Sequence, residues 1–115
     1  MIDKNPSLDG VLVKGGATTL ILWILRATPT HGYDLIRTIR QRSDGIFAFS
    51  DGTIYPLLYR LRDQGLIRAT REVSPEGRRR KVYHLTPEGE AELQKRLADW
   101  RLFAKGMRLA LSEVE

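Results

Sequence analysis

Gly77 opens a run of four consecutive cations, Arg78, Arg79, Arg80 and Lys81, and the stretch upstream carries Tyr55, Tyr59, Arg60 and Arg62 between apolar residues. Guanidinium and ammonium groups hold anionic oxygens through charge-assisted hydrogen bonds, and phenols add both a flat ring and a hydroxyl. Cations and aromatics in that density suit a polyanion. Residues 60–81 hold eight arginines and lysines against Asp63, Glu72 and Glu76, a surplus equal to the whole net charge of +5. A solvated turn is the bland alternative for the cationic run, and packing is the bland alternative for the two tyrosines.

Catalysis has little to stand on. His31 and His84 are the only histidines, cysteine is absent, and Asp34, Asp44, Asp51 and Asp63 are scattered. No nucleophile–base pair is visible, so a small hydrolase or nuclease lacks its chemistry. Missing thiols exclude disulfides and thiolate metal sites. No catalytic residue, metal ligand set or cofactor is expected.

Positioning the basic run requires a particular order of elements. The apolar stretch Gly16 to Ala27 predicts a helix buried on more than one face, closed by Pro29. Thr30-His31-Gly32 predicts a turn. A helix follows from Tyr33 to Arg42, with Leu35, Ile36 and Ile39 inward and Arg37 outward. Ile46, Phe47 and Phe49 are expected as core residues of a connector. Ser50 caps the next helix, whose Ile54, Leu57, Leu58 and Leu61 form an inward stripe and which Gly65 stops. Leu66 to Val73 and Lys81 to Leu85 predict two strands joined by Ser74-Pro75-Glu76-Gly77. Thr86 and Pro87 start a last helix running to Leu111. The fold class is mainly α with a small β-hairpin, a winged helix-turn-helix followed by a long C-terminal dimerisation helix. The expected division is an N-terminal arm at 1–14, the winged helix-turn-helix at 15–85 and the dimerisation helix at 86–115.

His31-Gly32-Tyr33, then Gly52-Thr53-Ile54-Tyr55-Pro56-Leu57-Leu58-Tyr59-Arg60-Leu61, then Arg78-Arg79-Arg80-Lys81-Val82-Tyr83-His84-Leu85-Thr86-Pro87-Glu88-Gly89, in that order and spacing, resemble the PadR family of bacterial transcriptional regulators. The resemblance spans Gly16 to Leu111. It implies a homodimeric winged-helix repressor of its own or neighbouring genes, relieved by a small molecule or another signal. Thr53, Tyr55, Pro56, Tyr59 and Arg60 match the family's reading helix, and Arg78, Arg79, Arg80 and Lys81 match its wing. Arg37 is a further phosphate candidate, whereas His31 is expected to brace a helix start. The expected partner is double-stranded DNA with a palindromic operator.

In the last helix Leu93, Leu97, Trp100, Ala104, Met107 and Leu111 recur at heptad spacing, which predicts a seam against a second copy. Leu20 and Trp23 of the apolar first helix are expected beside it. Two readings of Trp100 stand. The resemblance to multidrug-sensing members implies that it stacks on a flat aromatic effector, with Trp23 as neighbour; otherwise it is a dimer contact alone. Thr18 to Leu25 is too short to span a bilayer, so a cytoplasmic protein with no membrane partner is expected. The rival to DNA binding is a winged-helix module that contacts another protein.

Overall fold

A computed structural model describes residues 10–113, with side chains described for 15–113. The elements are α1 (Gly10–Ala27), β1 (Thr30–His31), α2 (Gly32–Arg42), α3 (Asp51–Asp63), β2 (Ile67–Val73), β3 (Arg79–Leu85) and α4 (Pro87–Leu111). Residues 1–9 of the expected arm lie outside the described residues, and α1 begins within that arm rather than at Gly16.

The helices form where local signals say they should. His31 caps α2, its Nδ1 accepting from the Asp34 N–H at 3.4 Å, so the bracing role expected of it is what the geometry gives. Ser50 occupies the N-cap position of α3 but offers no side-chain bond; its carbonyl accepts instead from the Thr53 and Ile54 N–H groups. Pro56 lies inside α3. Having no N–H, it cannot complete the bond back to Gly52, a loss confined to the exposed side. Gly65 ends this segment with φ +77°, a backbone state that a Cβ disfavours.

One element departs from expectation. The predicted turn at Thr30-His31 is a short strand pairing antiparallel with β3, Thr30 opposite Tyr83 and His31 opposite Val82. The sheet order is therefore β1-β3-β2, with β3 in the middle. A two-residue strand has too little period to show in the sequence, and its partner is distant along the chain.

The core gathers Ile21, Leu22 and Leu25 of α1, Leu35 and Ile39 of α2, Ile54, Leu58 and Leu61 of α3, then Ile67, Tyr83 and Leu93. Phe49 is buried, and Phe47 stacks on it at 5.7 Å, whereas Ile46 is exposed rather than in the core. Among the described residues no helix is long and apolar enough to cross a membrane.

The start of α4 is clamped onto the α3–β2 junction. Thr86 Oγ1 donates to the Gly65 carbonyl at 2.7 Å and accepts from the Gly89 N–H at 3.0 Å. The Thr86 N–H bonds the Leu66 carbonyl at 3.2 Å. Gly89 lies so close that a Cβ there would overlap the Leu66 carbonyl oxygen and crowd Leu85. Backbone cannot yield as a side-chain tip can, so Gly89→Ala should destabilise the fold by at least about 1–3 kcal/mol. A urea midpoint that falls with unchanged slope checks this.

Candidate nucleic-acid interface

Amphipathic phase decides which residues of α3 face outward. Ile54, Leu57, Leu58 and Leu61 are buried, leaving Pro56, Tyr59, Arg60 and Arg62 exposed. Thr53 corrects an expectation. It shares the inner face with Leu57 and Leu61 at spacings of four and is 5% exposed, so it cannot be an outward reader. Tyr55 is half-buried. Its ring lies 6.5 Å from that of Tyr59 and so near Gly32 that a Cβ there would sit 2.7 Å from the phenol tip.

The β2–β3 hairpin rises beside this helix. Gly77, at φ +84°, turns the chain, its N–H bonding the Ser74 carbonyl at 2.9 Å. Ser74 is buried and locks the turn further: its N–H donates to the Arg78 carbonyl at 2.8 Å, and its Oγ accepts from the Arg78 N–H at 3.1 Å. Arg78 is thus displayed from a fixed turn, and Arg79 and Arg80 from the first residues of β3.

Strand alternation divides the cations between two faces. Arg79 and Lys81 share a face with Tyr83 and with their cross-strand neighbours Val73 and Arg71, toward α3. Lys81 Nζ accordingly lies 5.8 Å from the Tyr59 ring centroid. Arg80 points to the other face with Val82 and His84, opposite Glu72. Between α3, the start of α2 and the hairpin lies an open cleft of about 480 Å³, lined by Gly32, Tyr33, Tyr55, Tyr59, Tyr83, the wing cations and one carboxylate, Glu76.

Electrostatics sets these cations apart from ordinary surface charge. Among the described residues no carboxylate lies within 4.0 Å of Arg60, Arg78, Arg79, Arg80 or Lys81. Arg37 is different: it bonds Asp34 at 2.6 Å and lies over the Tyr33 ring. Burial, helped by neighbouring groups, pushes the Tyr55 and Tyr83 hydroxyls above the usual phenol range. Both remain neutral donors at ordinary pH.

A larger cleft of about 590 Å³ lies on the other side of the hairpin, between the end of α1 and α2. There Arg37, Arg42 and Arg80 are mixed with Asp34 and Glu72. Two carboxylates among its cations make it a poorer polyanion surface than the α3 side, where Glu76 is the one carboxylate beside four wing cations.

The expected dimer seam divides along α4. Leu93 is 0% exposed, a core residue of its own chain and not an interface residue; Leu97 and Leu20 are partly buried against the same core. Arg26 of α1 pairs with Glu90 at 3.1 Å, fixing this first part of the helix. Beyond Leu97 only Ala104 is partly covered, and Trp100, at 64% exposure, stands open with Met107 and Leu111. Trp23 lines the larger cleft, and Trp100 does not. The described residues contain no cluster of potential metal ligands.

Sequence reasoning missed Gly32 and Tyr83 as members of the site. Tyr83 is brought to the cleft by the pairing of β3, and a close backbone approach such as that of Gly32 leaves no periodic signal.

The model of the PadR-like family of transcriptional regulators matches residues 21–95, which contain α2, α3 and the whole wing. The chain belongs to that family. It is 36% identical over 80 residues to the transcriptional regulator YqjI of Escherichia coli, a match that covers 70% of this chain and 37% of YqjI. A PadR family transcription regulator from Clostridium difficile is similar in structure, with a TM-score of 0.75 and 33% identity, over 84% of this chain and 98% of the other. A PadR-like transcriptional regulator from Bacillus cereus matches with a TM-score of 0.78 and 30% identity, over 90% of this chain and all of the other. The winged helix-turn-helix and the long C-terminal helix are those of PadR regulators, and the function is transcriptional regulation.

The Gly32–Tyr55 contact gives a test within this family member. Gly32→Ala should cost little stability, because the clash falls on the tip of one side chain. Its Tyr55 hydroxyl should then titrate closer to the ordinary phenol value, followed by NMR of the tyrosine ring. An unchanged Tyr55 titration would mean that the glycine does not seat the ring.

Proposed function

We propose that the chain is a homodimeric, sequence-specific DNA-binding repressor of its own or neighbouring genes, relieved by a small molecule or another signal. The observation that carries the DNA reading is the juxtaposition of α3's outward face with wing cations that lack carboxylate partners, across one open cleft. A helix of this kind fits the major groove, where its side chains meet base edges. Pro56 and Tyr59 meet the bases, with Tyr55 beneath them. Arg60, Arg78, Arg79 and Arg80 hold phosphates; Arg37 would have to exchange Asp34 for phosphate to join them. Phosphate contacts set register and affinity, and base contacts set sequence choice.

Dimerisation is supported by α4. Trp100, Phe103, Met107 and Leu111 are apolar and exposed along a helix that its own chain stops covering at Leu97. A second copy is the economical cover, and a two-fold protein reads a palindrome with half-sites about one helical turn apart. Trp100, with Trp23, stays the candidate contact for a flat aromatic effector. DNA as partner also implies a cytoplasmic location.

Arg79→Ala combined with Arg80→Ala should weaken binding to every duplex and lower the log–log salt slope by about one unit for each phosphate no longer neutralised. An unchanged slope removes the wing from the interface. Tight, salt-insensitive binding to a protein with no shift of promoter DNA would favour the protein-binding alternative. For the dimer, Trp100→Glu with Met107→Glu should give a monomer in sedimentation equilibrium with helix content retained. A dimer that persists would place the interface elsewhere.

A further inference from the structure

Lys81 differs from the other wing cations in what it touches. Arg78, Arg79 and Arg80 are exposed, whereas Lys81 is half-buried and aimed across the cleft at Tyr59. Arg62, one turn along α3, lies 5.6 Å from the same ring centroid. Tyr59 is 45% exposed. Around it lie the tilted ring of Tyr55 and the two cations. A cation near a tyrosine face is attracted by the ring quadrupole. One of these two cations belongs to the wing and the other to the helix, so the ring joins two elements that are otherwise linked through the core.

We propose that Lys81 is a positioning residue: it fixes the Tyr59 ring between α3 and the wing and so governs sequence choice, and it does not supply a phosphate contact. The proposal rests on the DNA-binding reading above. Its location supports the assignment. Lys81 lies behind the three arginines at the hairpin tip, on the strand face occupied by Tyr83 and opposite Arg71. Backbone affinity then comes from the tip, and discrimination from Tyr59 with its two cations.

The test compares two duplexes of equal length, one selected by the full chain from a randomised pool and the other scrambled. Salt slope and affinity ratio are measured for the original chain and for Lys81→Ala, Lys81→Arg, Tyr59→Ala and the Lys81→Ala/Tyr59→Ala pair. Lys81→Ala should reduce the selected-to-scrambled ratio about 2- to 5-fold and leave the salt slope unchanged. Lys81→Arg should keep the ratio, and adding Lys81→Ala to Tyr59→Ala should change nothing further. Equal weakening on both duplexes with a slope lower by about one unit would overturn the proposal. Additive effects of Lys81→Ala and Tyr59→Ala would also overturn it. If either result comes while the Arg79/Arg80 double variant loses slope, only the role of Lys81 falls. A pool that never converges on a sequence overturns the DNA reading itself, and this proposal with it.

Discussion

Burial of one stripe of α3 is the constraint on which the rest depends. Ile54, Leu57, Leu58 and Leu61 go into the core with Ile21, Leu35 and Tyr83. Full burial of each such side chain is worth roughly 1.5–3 kcal/mol. Turning α3 far enough to bring Tyr59 inward would expose that stripe, at a cost no surface contact could offset. The rotation of α3 is therefore fixed, and its outward set of Pro56, Tyr59, Arg60 and Arg62 follows as a geometric remainder. Tyr83 extends the same constraint to the sheet, because a core residue on β3 dictates that Arg79 and Lys81 share its face.

The wing is held by different means. Hairpin pairing orders its strands, Ser74 and Gly77 close its tip, and β1 pins its central strand to the start of α2. Three cations are displayed from this frame with no carboxylate within 4.0 Å among the described residues, although Glu72 lies opposite Arg80 on the neighbouring strand. Unpaired exposed charges contribute little to the stability of a fold, so folding alone does not account for their concentration here. The far half of α4 makes a parallel case with apolar groups, since Trp100, Met107 and Leu111 are all substantially exposed.

Local signals made much of this legible. Gly65 marked the end of α3 because only a positive φ ends the helix in that way, and Thr86 with Pro87 marked the start of α4 to the residue. Family resemblance then placed both the reading helix and the wing. What stayed hidden was non-local. The strand at Thr30-His31 exists through its pairing with Tyr83 and Val82, which no window of sequence reveals. Leu93 belongs by spacing to the same seam as Met107, yet the first turns of α4 pack on their own chain and the later ones do not. Thr53 was placed in the site by family position, whereas its spacing from Leu57 and Leu61 already set its side chain on the inner face of α3.

The central claim is that α3's outer face and the wing together form the DNA-binding surface. NMR chemical-shift mapping with a duplex selected by the protein tests it most directly. The account predicts the largest amide changes at Tyr59 and Arg60 and at Arg78 to Lys81, with residues beyond Trp100 on α4 unaffected. Changes concentrated on α4, with α3 and the wing silent, would contradict it.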